Sequence, residues 1–287
     1  VGRMIAQEEV EAYNLPQGTL CQLYREIAAG RPGLVTRVGL GTFVDPRVEG
    51  GKLNRRTQPC EDLVEVLQVG GEELLRYKPF RPQVGLIRGT TADPEGNITV
   101  EDEALCMENF EAAMAVANSG GIVIAQVERI SDQPAKPHAV SIPGIFVHYV
   151  VVAANRHAHP HTLFTEHDPS YTGGARADLE REFQPMPLTA EKVICRRVAL
   201  ELGDARRINL GVGIPTSIAS VAHEEGILDR LTLNTEVGVL GGLPQSGKNF
   251  GPAKNPSAFI SQAAMFDFYD GGGLDLTCVG IAQVDGE

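Results

Sequence analysis

Residues 207–235 read RINLGVGIPTSIASVAHEEGILDRLTLNT, and this stretch decides the fold of the chain. Two short apolar runs, Arg207–Val212 and Leu231–Thr235, have the length and composition of strands. Between them, Pro215 suits the first turn of a helix, where the N–H that proline lacks would have no partner. A strand, a helix and a second strand in this order predict the repeating unit of an α/β protein with a mostly parallel sheet.

The same alternation continues on the amino-terminal side. A helix is predicted over Ala190–Leu202, with Gly203 as its stop signal, and another over Asp102–Asn118, which has acidic residues in its first turn. The polar, proline-containing stretch Tyr171–Leu188 separates two parts of different character, and we place a domain boundary there. Further strands are predicted over Leu34–Val38, Val84–Ile87, Gly121–Val127 and Ile145–Ala153.

Composition excludes several classes of function. An apolar share of 43% over 287 residues is enough for two packed domains. A net charge of −12 without a long basic stretch argues against a nucleic-acid partner, and no apolar run is long enough to span a membrane. The five cysteines are scattered without a CxxC pair, which predicts reduced thiols in a cytoplasmic protein rather than a zinc or redox site.

The segment with the clearest signs of chemical function is LTLNTEVGVLGGLPQSGKNFG, residues 231–251. Glu236 follows an apolar strand in this segment and precedes a series of glycines. A carboxylate beside backbone without side chains can approach a bulky ligand closely, while exposed N–H groups stabilise developing negative charge. A lone glutamate at such a position is more often a helix cap or one half of a surface ion pair.

A resemblance favours the first interpretation. The segments NTEVGVLGGLP (234–244) and MFDFYDGGGLD (265–275) resemble the family I coenzyme A transferases. Three more segments resemble the family in its expected order: GLVTRVGLGTFVDPRVEGGKLN (33–54), IVIAQVERI (122–130) and INLGVGIPTSIASVAHEEG (208–226). Together they cover nearly the whole chain.

The resemblance implies two related open α/β/α domains with mostly parallel sheets. Residues 1–185 would form most of the first domain, and residues 186–287 the start of the second, which carries the nucleophile Glu236. The implied reaction transfers coenzyme A (CoA) between a short-chain acyl-CoA and a free acid such as acetate, propionate or acetoacetate. CoA is then substrate and covalent intermediate, no metal or other cofactor is needed, and the full-length protein is expected to be a homo-oligomer.

The resemblance also implies binding residues. Asn54 and Gln126 would hydrogen-bond the carboxylate of the acyl acceptor, although a turn-forming Asn and a strand-end Gln are equally good interpretations. The candidates for CoA binding are Gly241, Gly242, Gly271, Gly272, Gly273 and Lys248. Three successive glycines lose much conformational entropy on folding, so Gly271–Gly273 favour a functional reason over a plain turn.

Competing motifs are weaker. Residues 242–249 nearly match a phosphate-binding P-loop, but Asn249 stands where a hydroxyl would hold Mg²⁺, and Pro252 follows where a helix should begin. The glycines that follow the predicted strands do not complete a dinucleotide fingerprint. Four histidines in RHAHPHTLFTEH (156–167) could bind a metal, but a surface loop is the interpretation we favour.

Two alternative functions stay open. One is an acyl-CoA hydrolase that uses the same Glu236, and the other is a non-enzymatic metal- or ligand-binding protein.

Two segments of the family pattern have no counterpart between Val1 and Glu287. One is an amino-terminal glycine-rich turn, and the other is a later glycine-bearing segment associated with the oxyanion hole. We therefore expect residues 1–287 alone to be an incomplete catalyst.

Overall fold

A computed structural model describes residues 1–183 and 185–284, which form an α/β fold as predicted. The α-helices are α1 (Gly2–Ala6), α2 (Gln17–Ala28), α3 (Asn109–Asn118), α4 (Ala190–Glu201), α5 (Ile218–Glu224) and α6 (Gln262–Asp270). The strands are β1 (Leu34–Thr36), β2 (Val64–Val69), β3 (Glu72–Tyr77), β4 (Val84–Ala92), β5 (Ile98–Thr99), β6 (Ile122–Ile130), β7 (Val140–Ile142), β8 (Tyr149–Val152), β9 (Arg207–Leu210), β10 (Thr232–Thr235), β11 (Val239–Leu240), β12 (Leu243–Pro244), β13 (Ala253–Lys254), β14 (Ala258–Phe259) and β15 (Leu276–Cys278).

One compact unit comprises residues 1–85 and 110–123. Its antiparallel sheet has the strand order β1-β3-β2, and α2 and α3 contribute to the same core. The β2–β3 hairpin was not predicted from the sequence. It turns through Gly70 and Gly71, which both have positive φ, a conformation that glycine adopts without the steric cost of a Cβ.

The other compact unit comprises residues 86–109 and the chain from 124 onward. It contains most of a five-stranded sheet with the order β7-β5-β4-β6-β8, a second five-stranded sheet with the order β14-β11-β10-β9-β15, and the β12–β13 pair. The division by compactness does not follow the boundary expected after residue 185. The assignment of residues 1–185 and 186–287 to two family domains stays a prediction.

The prediction of mostly parallel sheets is wrong, because the sheets are mixed. β6 and β8 are parallel, as are β9, β10 and β15, but β5 pairs antiparallel with β4 and β7, and β11 pairs antiparallel with β10 and β14. For two of these pairs the reason is a short connection: β5 follows β4, and β11 follows β10, after only a few residues, which can join only antiparallel neighbours, whereas parallel strands need a crossover. The prediction counted apolar runs and did not weigh the connections between them.

The second five-stranded sheet separates two layers of helix. Ile208 and Leu210 of β9 point into an apolar core with α4 and α5, which contribute Cys195, Ala199, Ile218 and Val221. Because side chains alternate along a strand, Asn209 points to the opposite face, and there it meets Tyr269 of α6. The α6 side of this sheet therefore carries polar side chains.

Both predicted helices are present, but only one of them begins and ends near the predicted residues. The helix predicted at Ala190–Leu202 is α4, and Gly203 follows it with positive φ, as a helix stop requires. The helix predicted over Asp102–Asn118 begins only at Asn109, and Met107 before it has a positive φ that interrupts helical geometry. Within the described residues, no helix has the length and apolar character needed to cross a membrane.

Candidate active site

Glu236 lies at the carboxyl edge of three parallel strands. It directly follows β10, in which Asn234 is the register partner of Asn209 in β9. Leu210 at the end of β9 pairs with Cys278 at the end of β15. Glu236 therefore leaves the sheet at the same edge as Gly211 and Val279, which is where open α/β sheets bind their ligands.

A row of polar side chains crosses the same three strands. Thr277 of β15, Asn209 of β9 and Asn234 of β10 are register neighbours, and the two asparagines are buried. Tyr269 of α6 brings its hydroxyl to this row. Burying the two asparagine amides costs free energy unless they are hydrogen-bonded, so the contacts within the row fix the arrangement.

The hydrogen bonds of this row run in one direction. Thr277 Oγ1 donates to Asn209 Oδ1 at 3.0 Å, and Asn209 Nδ2 donates to Tyr269 Oη at 3.3 Å. The Tyr269 hydroxyl then donates to Asn234 Oδ1. Since the oxygen of the Asn234 amide faces Tyr269, its NH₂ group must face elsewhere. In the part of the chain that the structure describes, no group accepts a hydrogen bond from this buried Asn234 Nδ2.

The Glu236 carboxyl group is partly removed from water and has no cationic partner among the described residues. Removal from water raises the pKa of Glu236 above the ordinary value of 4.5. Within residues 1–183 and 185–284, no Lys or Arg forms an ion pair with it. Burial, followed by the negative charge of Glu236, raises the pKa of the Tyr269 hydroxyl, so Tyr269 lies within electrostatic reach of the carboxylate.

Gly238 fixes the turn that follows Glu236. It has φ of +102° and is buried, and a Cβ built on it would lie 2.1 Å from the carbonyl oxygen of Ile260. Gly238 N donates to the carbonyl of Thr235, and Ile260 N donates to the carbonyl of Gly238. Only glycine satisfies both the left-handed backbone and this close approach. The turn therefore holds Glu236 at the end of β10.

The structure does not favour the expected role of Asn54. Its Nδ2 donates to the carbonyl oxygens of Ile5 at 3.1 Å and Val10 at 2.9 Å, and its Oδ1 accepts from the backbone N–H of Thr57. Both amide hydrogens of Asn54 are thus used to hold the local loop. A substrate carboxylate needs a donor, so binding by Asn54 stays a prediction without support from these contacts.

Gln126 is used in the same way. Its Nε2 donates to the carbonyl oxygen of Ala158 at 3.0 Å and lies 3.0 Å from Nδ1 of His159. The other ring nitrogen of His159 lies 2.7 Å from Glu103 Oε1, so in the neutral ring that nitrogen holds the proton and Nδ1 accepts from Gln126. The group of the Gln126 amide that is left over is the oxygen Oε1. It is an acceptor, so it repels an ionised substrate carboxylate.

The glycines predicted to contact CoA have structural explanations. A Cβ on Gly241 would lie 2.3 Å from Ser257 Oγ, and one on Gly242 would lie 2.3 Å from the carbonyl oxygen of Lys254. Gly271, Gly272 and Gly273 end α6 and precede β15, so the parallel register puts them at the edge of the sheet opposite Glu236. Their role in CoA binding stays a prediction, and this placement separates Gly271–Gly273 from the nucleophile.

Lys248 lies in the short 3₁₀ turn Gly247–Asn249, with its Nζ 4.5 Å from the ring centre of Phe164. The lysine is exposed, so it is free to meet an anion, and its contact with a CoA phosphate stays a prediction. After this turn the chain continues into β13 rather than into a helix. The P-loop geometry is therefore not formed.

The histidine segment differs from the expected surface loop. His159 and His161 are 3% and 8% exposed, and His161 accepts the backbone N–H of Asp168 while its other nitrogen lies 3.2 Å from His167. The interpretation of the whole segment as surface loop is wrong for these two rings. Among the described residues, no three His, Cys, Asp or Glu side chains converge in a group that could hold a metal ion.

Sequence reasoning missed Asn209, Asn234 and Tyr269. Two of them carried a readable signal, because each asparagine stands in the middle of an otherwise apolar strand, in INL and LNT. A buried amide in a strand requires partners, which points to a polar network on one face. The contribution of Tyr269 from α6 depends on tertiary packing, which the sequence pattern does not encode.

A family model described as Coenzyme A transferase matches residues 1–153. Over 283 residues the chain is 48% identical to the caffeate CoA-transferase of Acetobacterium woodii, an alignment that covers 98% of this chain and 53% of that protein. It is 38% identical over 290 residues to the acetate CoA-transferase YdiF of Escherichia coli (strain K12), with 99% and 53% covered. The chain thus spans about half the length of these curated relatives.

Comparison with solved structures also finds acyl-CoA transferases. The crystal structure of the acyl-CoA transferase YdiF apoenzyme from Escherichia coli O157:H7 superposes with a TM-score of 0.85 at 37% identity, covering 96% of this chain and 50% of that one. The same enzyme has been solved as a thioester complex with CoA, and that structure superposes with a TM-score of 0.82.

Proposed function

The chain belongs to the coenzyme A transferase family, and from that membership we propose that Glu236 transfers CoA between an acyl-CoA and a free carboxylic acid. One observation supports this role above the others. Glu236 is a partly buried carboxylate at the ligand-binding edge of a parallel sheet, with no cation paired to it among residues 1–183 and 185–284. A glutamate that served only structure would be expected to pair with a Lys or Arg or to cap a helix.

The proposed chemistry proceeds by two exchanges. A Glu236 carboxylate oxygen attacks the thioester carbonyl, the C–S bond breaks, and an acyl-glutamyl anhydride forms with release of the CoA thiolate. The thiolate then adds to the Glu236 carbonyl of the anhydride, a C–O bond breaks, and the acyl group leaves as a free carboxylate. A second carboxylic acid reverses both steps from the glutamyl-CoA thioester. The route uses CoA as substrate and covalent intermediate and needs no metal.

Partial burial of Glu236 fits this chemistry. A carboxylate removed from water is a stronger nucleophile than a solvated one, and partial burial also limits the access of water to the anhydride and thioester. Val212 and Val279, at the same edge of the sheet as Glu236, are 60% and 64% exposed. These apolar side chains suit an acyl chain better than a charged group.

The acceptor is proposed to be a short-chain acid such as acetate, propionate or acetoacetate. One relative is an acetate CoA-transferase, but a relative with higher identity is a caffeate CoA-transferase, and caffeate is an aromatic acid. An acceptor panel should therefore contain both chemical types.

Trapping tests the covalent role directly. The protein that carries this sequence is incubated with a short acyl-CoA and reduced with borohydride, and the modified peptide is mapped by mass spectrometry. We expect reduction at Glu236, with none in Glu236→Ala and full modification in the matched control Glu49→Gln, a change at an exposed glutamate. Modification at another residue, or full activity of Glu236→Ala, would contradict the proposal. CoA release that is independent of added acid would identify a hydrolase instead.

A further inference from the structure

The buried amide of Asn234 is a hydrogen-bond donor whose place in the reaction is not yet assigned. Asn234 is 1% exposed, its Nδ2 has no acceptor within the described residues, and it stands two positions before Glu236. A buried donor without a partner costs roughly 1–3 kcal/mol, so native proteins retain one where something else accepts from it.

Position puts this donor near the reacting carboxyl group. Asn234 points to the face of the sheet that carries the polar row, and Glu236 follows it two residues later, in the turn that ends β10. That face is the one covered by Tyr269, whose hydroxyl contacts Asn234 and lies within electrostatic reach of the Glu236 carboxylate. The three side chains therefore occupy one location at the end of the sheet.

The hydrogen bonds of neighbouring side chains fix the orientation of the Asn234 amide. Tyr269 Oη accepts from Asn209, so its single hydrogen is available only for Asn234 Oδ1. Asn209 is in turn fixed by Thr277 and by its own second bond, at 3.3 Å, to the carbonyl oxygen of Asn234. A flipped Asn234 amide would place its NH₂ against the Tyr269 hydroxyl and leave that hydroxyl without an acceptor.

We infer that the Asn234 amide, which donates to no described residue in the unreacted protein, donates to the Glu236 carboxyl oxygen when that oxygen becomes negative during CoA transfer, and that Tyr269 is the positioning residue that aims this amide. When the CoA thiolate adds to the Glu236 carbonyl of the anhydride, the C–S bond forms and the π electrons move to the carbonyl oxygen. The C–O bond to the acyl group then breaks, and the charge leaves on the released carboxylate. A fixed N–H donor lowers the energy of the charged tetrahedral stage. The inference rests on the proposed covalent role of Glu236.

The test is the single-turnover rate of glutamyl-CoA thioester formation from acetyl-CoA, in the protein that carries this sequence. Asn234→Ala is expected to slow it about 100-fold, the usual effect of removing one such donor, and Tyr269→Phe about 10-fold. Steady-state KM for acetyl-CoA should stay within about twofold of the wild-type value. The double variant should be no slower than Asn234→Ala, because Tyr269 acts only through that amide.

The controls separate this inference from its premise. Tyr149→Phe, at a 61% exposed tyrosine, should react at the wild-type rate, and thermal unfolding reports whether each variant is folded. If Asn234→Ala does not fold, Tyr269→Phe, which keeps the partly buried ring, still decides through its rate. Wild-type rates in Tyr269→Phe, or losses in the two single variants that multiply in the double variant, would overturn the inference while leaving the proposed function intact. Absence of any thioester on wild-type Glu236 would overturn both.

Discussion

The Tyr269 hydroxyl donates a hydrogen bond to the side-chain oxygen of Asn234, two residues before Glu236. This contact links α6 to the end of β10 and connects the nucleophile to a polar row that crosses three parallel strands. The family resemblance pointed to Glu236 itself. The structure adds an environment that is partly buried, lacks a paired cation within the described residues, and contains a buried amide donor.

Glu236→Gln is expected to raise the Tm at pH 7.5 and to leave it unchanged at pH 3.5. Burial raises the pKa of Glu236 in the folded protein, so the folded state resists ionisation more than the unfolded chain does. Stability contributed by the protonated form is complete below the ordinary value of 4.5 and is lost as pH rises through the raised folded pKa. A neutral glutamine does not incur that loss. Calorimetry at the two pH values measures it, and a lower Tm for Glu236→Gln at pH 7.5 would refute the desolvated carboxylate.

Gly238→Ala is expected to destabilise the protein by more than about 2 kcal/mol and to remove activity. The added methyl group would meet the Ile260 carbonyl oxygen at 2.1 Å, in addition to the cost of a left-handed backbone. Gly120→Ala is the matched control, because Gly120 has φ of +77° and nothing within 4 Å of the place that a Cβ would take. Its cost should be about 1 kcal/mol, with activity retained. Equal losses of stability in urea titrations of the two variants would show that the contact with Ile260 is unimportant.

Asp45→Asn is expected to cost about 2 kcal/mol at pH 7. The buried Asp45 carboxylate accepts from the Arg47 guanidinium at 2.7 Å and from the backbone N–H of Gly41 at 2.9 Å. These contacts, led by Arg47, lower the pKa of Asp45 well below its ordinary value of 3.8. The stabilisation is complete above that ordinary value and is lost as pH falls toward the folded pKa, so the difference between variant and wild type should shrink below about pH 4. A difference in unfolding free energy that grows on acidification would contradict this assignment.

Gln126→Ala is expected to lower the Tm while leaving KM for the acceptor acid within about twofold. Removing the amide leaves the buried His159 Nδ1 without its donor, at a cost of about 1 kcal/mol. Because both Nε2 hydrogens already have acceptors in the protein, no substrate contact is lost. A tenfold or greater rise in KM for acetate would restore the carboxylate-binding role implied by the family resemblance.

Sequence patterns predicted the parts of this structure that depend on local chemistry. The strand–helix–strand unit around Pro215, the helix end at Gly203 and the glutamate that follows β10 are all readable from apolar runs and from glycine and proline positions. The mixed sheets were not predicted, because strand direction depends on which connections are short. The use of the Asn54 and Gln126 amides was also unreadable, because both amides bond to backbone carbonyls far away in the sequence, at positions that only the folded loops bring together.

Isotope transfer from ¹⁸O-labelled acetate to Glu236 tests the covalent account most directly. In the proposed route the acid attacks the glutamyl-CoA thioester through a labelled oxygen, and CoA then takes the acyl group, so that oxygen stays on Glu236. After turnover with acetyl-CoA and labelled acetate in ordinary water, the peptide that contains Glu236 should be heavier by the mass of the label. The same peptide should gain no label from unlabelled acetate in H₂¹⁸O. Turnover without label in Glu236, or label that comes from water, would contradict CoA transfer through this residue.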